Sequence, residues 1–141
     1  MAHVLFTYGT LSLPEVIHRV TGKCFPAVDA LIEEYETYYL KNRPYPGMCY
    51  TGKGNTWGKL HFDIDAATFD LLDHYEGGEY VRQQITAVTT EGKSVTAQAY
   101  VLADNAKHLV SVRPWNEKTF RQRYLAQYLN EMEWRRKPLR Q

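Results

Sequence analysis

Three carboxylates recur at a spacing of three, Asp73, Glu76 and Glu79, and the middle one is followed directly by Gly77-Gly78. The residues before it carry a helical pattern, so Glu76 falls in the last turn of a helix, at the negative end of the macrodipole. Asp73 one turn earlier and Glu79 three residues later act in the same sense, and all three influences favour the protonated carboxyl. If the side chain turns inward, desolvation adds to them and lifts the pKa above its ordinary value of about 4.3. A carboxyl of that kind accepts a proton at neutral pH and can give it back, which is the work of a general base that becomes a general acid. Local sequence is equally compatible with a solvent-exposed Glu placed before a Gly-Gly helix stop.

A second stretch with chemical capacity is Val4 to Leu11, VLFTYGTL. An apolar, β-branched and aromatic strand ends there in Tyr8-Gly9-Thr10-Leu11, with a residue lacking Cβ where the chain must stop being a strand. Ser12, Pro14 and Glu15 then offer a helix start, Ser12 as cap and Glu15 closing a capping box. Backbone amides of such a turn can hold a carboxylate or a developing oxyanion. The same pattern also serves as an ordinary strand-to-helix connection.

Other chemistries find little support. The five histidines, His3, His18, His61, His74 and His108, are scattered, and no G-x-S-x-G elbow is present. Ser12 is accounted for as a helix cap, whereas His74 could border a pocket. Cys24 and Cys49 lack metal-like spacing and read as thiols in a reducing compartment. A net charge of +1 gives no broad attraction to nucleic acid or anionic lipid. No apolar run reaches membrane length, and no leader-like segment precedes the first strand, so a cytoplasmic protein is expected.

The elements that must position these residues follow from periodicity. With 141 residues, 44% hydrophobic and 23% charged, the chain has ordinary globular values and is expected to form one domain over 1–141. A short helix is predicted from Glu15 to Val20, stopping near Gly22, and one long or two bent strands from Ala27 to Leu40. Arg43 to Gly47 should be irregular, Gly52 to Asn55 a turn, and Thr56 to Asp63 a strand with Gly58 at a bulge or close approach. Asp65 is read as the cap of a helix to about Tyr75, with Phe69, Leu72 and Leu71 as core-facing candidates. Strands over Val81 to Thr89 and Ser94 to Leu102 are joined by a turn at Glu91-Gly92. Asn116 is expected to cap a last helix to about Arg135, with Phe120, Tyr124 and Tyr128 on one stripe and Leu125, Leu129 and Met132 beside it. Arg135, Arg136 and Lys137 at its end suit the helix dipole better than they suit a nucleic-acid patch. The pattern is α+β: a mostly antiparallel sheet, curved or closed, with flanking helices.

Several segments, in order, resemble the gamma-glutamylcyclotransferase-like family, in particular its AIG2-like and gamma-glutamylamine cyclotransferase branch. VLFTYGTL is similar to the family's Y-G-[ST]-L loop, NRPYPGMCY to its Arg-x-x-Tyr-Pro segment and TWGKLHFDID to its G-x-[LV]-[FY] strand. LLDHYEGGEYVR resembles the signature L-D-x-[FY]-E-G-x-x-Y-x-R, AQAYVL the strand after it, and Trp115 with Phe120 a closing W-x-x-x-x-F pattern. The resemblance implies a small closed or curved β-barrel with flanking helices, and release of 5-oxoproline from small gamma-glutamyl compounds. It implies Glu76 as proton acceptor and the Tyr8, Gly9, Thr10 and Leu11 loop as the binder of the glutamyl moiety. Tyr45, Tyr80 and Tyr100 are candidates for the pocket wall, with a packing role for Tyr80 and a structural one for Arg82 as the plainer account. Because the substrate carries its own nucleophile, the α-amine, no protein nucleophile, metal or cofactor is needed. A binding protein of the same fold that turns nothing over is the alternative, and the retention of Glu76 argues against it.

Overall fold

The computed structural model describes residues 3–43 and 45–130. The strands are β1 (His3–Thr7), β2 (Ala27–Leu40), β3 (Pro46–Ile64), β4 (Tyr80–Thr89), β5 (Ser94–Leu102) and β6 (Val110–Pro114). The helices are α1 (Pro14–Thr21), α2 (Ala66–Glu76) and α3 (Glu117–Arg123). The sheet runs β3-β1-β5-β4-β2, and pairing of β2 with β3 closes these five strands into a barrel, with β6 added on β2. β1 and β5 are parallel and every other pairing is antiparallel. The expected mostly antiparallel sheet, curved or closed, with flanking helices is therefore the fold, in its closed form.

A five-stranded barrel is narrow, and its inward positions show it. Phe6, Met48 and Leu60 fill the interior together with Ala30, Ala87, Ala97 and Ala99, the small residues making room for the large ones. β1 is buried on both faces, because Phe6 points inward while Leu5 packs outside against Leu13, Val16, Phe69 and Leu72 of the helical layer. Gly58 allows the barrel to close at β1. A Cβ at position 58 would stand 2.0 Å from the Thr7 carbonyl oxygen and 2.8 Å from Phe6 Cζ, so the expected close approach is present.

Several local expectations need correction. Ser12 does not cap α1: Leu13 holds the cap position with no side-chain bond, and the Ser12 hydroxyl donates instead to the Gly9 carbonyl at 2.6 Å. Gly52 to Asn55 is not a turn ending a strand. β3 continues through it, and the pairings Glu33–Asn55 and Tyr35–Tyr50 leave residues 51–54 bulging opposite Glu34, which adopts φ 71°. Pro46 and Gly47 belong to β3, where they pair with Tyr39 and Tyr38, and proline at a first strand position costs no ladder bond. Of the three core-facing candidates on α2, Phe69 and Leu72 are buried and Leu71 is half exposed. The predicted last helix is shorter in its first segment: Asn116 caps it through the Thr119 amide, but α3 breaks at Tyr124 before helix resumes at 125–130. Met132 and the basic end at Arg135, Arg136 and Lys137 lie outside the described residues. The 3-10 segment Asp104–Leu109 and the short β6 had no periodicity long enough to betray them.

Candidate active site

α2 is built to end at Glu76. Asp65 accepts from the Thr68 amide at its start, and at its end Gly77 takes φ 71° and donates to the Asp73 carbonyl. Glu76 is the last helical residue and lines a cavity of about 610 Å³, a size suited to a small-molecule ligand. Tyr8, Gly9, Thr10 and Leu11 lie on the same wall system, as do Tyr45, Tyr80 and Tyr100. All eight residues singled out from the sequence are thus brought to one cavity. Their elements explain it: β1 delivers the 8–11 turn, β5 pairs parallel to β1 and delivers Tyr100, β4 delivers Tyr80, and the approach to β3 delivers Tyr45.

Glu76 is half-buried, and its carboxylate has no hydrogen-bond or ion-pair partner among the described residues. Burial raises its pKa to about 8. The direction agrees with the sequence argument, but the cause does not. The neighbouring carboxylates are engaged elsewhere: Asp73 accepts from the Tyr100 hydroxyl at 2.6 Å and pairs with Arg82 at 3.1 Å, while Glu79 accepts from Tyr45 at 2.9 Å and pairs with Arg43 at 2.8 Å. Two cations neutralise what would have been like-charge repulsion, which leaves desolvation as the physical cause.

The tyrosines around Glu76 are hydroxyl donors committed to structure. Tyr8 donates to the Tyr100 carbonyl at 2.6 Å and accepts from the Met48 amide at 3.3 Å; Tyr80 donates to the Pro46 carbonyl at 2.5 Å. Tyr75 contacts the Thr10 hydroxyl at 3.3 Å and also bonds Tyr128. Burial, with the Glu76 charge contributing, pushes the Tyr8, Tyr75, Tyr80 and Tyr100 hydroxyls well above their ordinary range. Tyr45 rises to about 12 through burial and its bond to Glu79. These phenols stay protonated, so none competes with Glu76 as a base.

The 8–11 turn forms a short 3-10 segment, Thr10–Ser12, closed by Ser12 N–H to Gly9 O at 3.0 Å and Leu13 N–H to Thr10 O at 3.2 Å. The amides of Thr10 and Leu11, at the start of that segment, are not used by its own bonds. Gly9 lies against Pro46, and a Cβ there would stand 2.6 Å from the proline Cγ. The turn and the Tyr45 side of the cavity are therefore in contact at a position that admits no side chain.

The cavity also contains residues to which the sequence reading gave no site role. Tyr75, Glu79 and Arg43 line it, and so does Tyr128, assigned from periodicity only to a core stripe. His74, which the sequence reading allowed at a pocket's border, lies there. Arg82 is not among its lining residues; it stacks 4.4 Å over the Phe69 ring and pairs with Asp73, the structural role anticipated for it. The signal for Tyr75 was its place in the D-x-Y-E-G run, but for Arg43 and Glu79 nothing in sequence indicated that they pair.

Among curated relatives, an Arabidopsis thaliana protein, AIG2-like protein C, is 30% identical over 101 residues, 71% of this chain. That match spans 59% of the relative's length. A protein from the same plant solved in solution superposes with a TM-score of 0.72 at 23% identity, over 98% of this chain and 86% of that one. A gamma-glutamyl cyclotransferase structure superposes with a TM-score of 0.66 at 16% identity, over 94% and 86% respectively, a likeness of fold. Residues 5–117, from β1 to the first residue of α3, match the family model described as gamma-glutamyl cyclotransferase, AIG2-like, and the chain belongs to that family.

Proposed function

We propose that the protein is a gamma-glutamyl cyclotransferase in which Glu76 acts first as general base and then as general acid. The observation that carries this reading is a half-buried carboxylate, raised to about 8 and without a partner among the described residues, in the cavity that also contains the 8–11 turn. A bound gamma-glutamyl compound places its α-ammonium against Glu76, which takes one proton. The freed amine nitrogen attacks the γ-carbonyl carbon, a C–N bond closes the five-membered ring, and the carbonyl becomes a tetrahedral oxyanion. The amides of the 8–11 turn stabilise the substrate carboxylate or that oxyanion. Collapse breaks the original amide C–N bond as Glu76 returns its proton to the departing amine; the regenerated carboxylate then takes the second proton from the ring nitrogen and passes it to that amine, giving 5-oxoproline and the amine as its ammonium ion. The walls formed by Tyr8, Tyr45, Tyr80 and Tyr100 hold the chain folded, which makes the attack effectively intramolecular.

The test is release of 5-oxoproline from a panel of gamma-glutamyl amino acids, gamma-glutamyl amines, the ε-lysine isopeptide and glutathione. Release from any of them supports the reaction and ranks the leaving groups. Silence across the panel from a folded protein that still binds a glutamyl ligand would favour a binding protein of the same fold.

Two further outcomes follow from the geometry. Since Glu76 must be ionised to accept a proton, kcat/KM should fall about tenfold per pH unit below pH about 8 and level off above it. The corresponding limb in kcat should lie at lower pH, because the substrate ammonium stabilises the carboxylate in the complex. A flat kcat/KM profile between pH 6 and 8 would remove Glu76 as the base. Gly9→Val drives a side chain into Pro46 and shifts the turn away from the glutamyl position, for an expected loss of about 10²-fold in kcat/KM. Normal turnover and normal ligand affinity in that variant would contradict the role of the turn.

A further inference from the structure

Beside the active-site cavity lies a second groove of about 620 Å³. The two share three walls, Asn42, Arg43 and Tyr128, so the groove continues from the cavity's Arg43 side. Its composition is one-sided. Lys41, Arg43 and Arg113 line it, and no Asp or Glu does among the described residues. Arg43 is neutralised by Glu79 at 2.8 Å, whereas Lys41 and Arg113 have no carboxylate partner among the described residues. Arg113 is held in place all the same. Its guanidinium carbon lies 4.6 Å from the ring centroid of Tyr39, a cation–π contact that holds the group, and its N–H donors have no hydrogen-bond acceptor among the described residues. Tyr39 is itself buried, and its hydroxyl has no hydrogen-bond partner among the described residues. The groove thus offers solvent two exposed cations, Lys41 and Arg113, that lack a carboxylate partner among the described residues, in a chain whose net charge is only +1, so the positive charge there is local and not part of a general basic surface.

We propose that this groove is a leaving-group subsite, receiving the terminal carboxylate of a substrate whose departing amine is long enough to extend past Arg43. The proposal rests on the cyclotransferase reading of the cavity and adds a substrate class to it: gamma-glutamyl derivatives of ω-amino acids or peptides, in preference to those of simple alkylamines. A carboxylate there would accept charge-assisted hydrogen bonds from Arg113 and Lys41. Short leaving groups, with a carboxylate two bonds from the scissile nitrogen, keep that charge inside the cavity and do not use the groove. Because the contact is remote from the reacting atoms and is made equally before and during the reaction, it should appear in KM and not in kcat.

The matched probes are gamma-glutamyl-6-aminohexanoate and gamma-glutamylhexylamine, which differ only by the terminal carboxylate, together with gamma-glutamylglycine as a short control. The wild type should favour the aminohexanoate by about tenfold or more in KM, as expected for a charge-assisted hydrogen bond. In Arg113→Gln and Lys41→Gln, each checked for folding by circular dichroism, that ratio should fall towards one, while the kinetics with gamma-glutamylglycine do not follow the substitution. An equal KM for the two long substrates, or a preference that survives both substitutions, overturns the proposal. The same pair titrated by calorimetry into Glu76→Gln protein separates the two levels of inference. Loss of all turnover in the wild type with a retained affinity ratio would sink the cyclotransferase reading and leave the anion subsite standing. Equal affinity for both ligands, or binding of neither, overturns the subsite.

Discussion

Glu76→Gln is expected to lower 5-oxoproline release by about 10³-fold, within the 10²- to 10⁴-fold range that positioned acid–base groups contribute. The substitution keeps the side-chain volume and breaks no hydrogen bond or ion pair, because the Glu76 carboxylate makes none among the described residues. It removes only the ability to accept and return a proton. Stability should move the other way from activity. The folded-state pKa of about 8 lies above the ordinary carboxylate value, so the native state holds a proton that the unfolded chain has already released. Wild-type stability is therefore greatest below pH about 4.5 as far as this group is concerned, and declines as pH rises through about 8, at up to about 1.4 kcal/mol per pH unit. Gln has no such loss. Urea unfolding at pH 5 and pH 8 should show the variant gaining on the wild type by up to a few kcal/mol at the higher pH. An inactive variant that is more stable at pH 8 marks a destabilising group retained for chemistry. Unchanged turnover would remove Glu76 from the mechanism, whatever the stability result.

The second large effect belongs to the barrel closure. Gly58→Ala places a methyl group 2.0 Å from the Thr7 carbonyl oxygen, and the obstacle is backbone in a strand buried on both faces, with no flexible tip to swing aside. β1 and β3 must separate there or the register between Thr7 and Lys59 must give way. Overpacking of this kind costs about 3 kcal/mol, which for a chain of this size lowers Tm by roughly 10 °C. Gly78→Ala is the comparator, since a Cβ at that position meets nothing within 4 Å. Equal melting temperatures for the two variants would show that the β1–β3 contact is not as tight as it stands. Because β1 continues directly into the 8–11 turn, partial destabilisation at Gly58 should also weaken ligand binding, linking barrel closure to the site.

The parts of this protein whose information is local were legible in its chain. Amphipathic spacing located α1, α2 and the β4–β5 hairpin; Asp65 and Asn116 announced their helices by cap chemistry; Gly58 announced a close approach. The motifs were equally legible, since Y-G-T-L and D-x-Y-E-G are contiguous and name their residues without any fold. What contiguity cannot show is pairing between distant segments. Closure of the sheet depends on β2 meeting β3 and on β1 running parallel to β5, where Leu5 pairs with Gln98, and no local pattern encodes either meeting. The origin of the raised pKa at Glu76 was decided the same way. Read along the helix, Asp73 and Glu79 are like charges pressing on Glu76; in three dimensions Arg82 and Arg43 hold them, and burial alone acts. Charge is a property of residues, but the field at a site depends on which partners the fold brings within about 3 Å, and neither Arg43 nor Arg82 could be matched to its carboxylate from spacing.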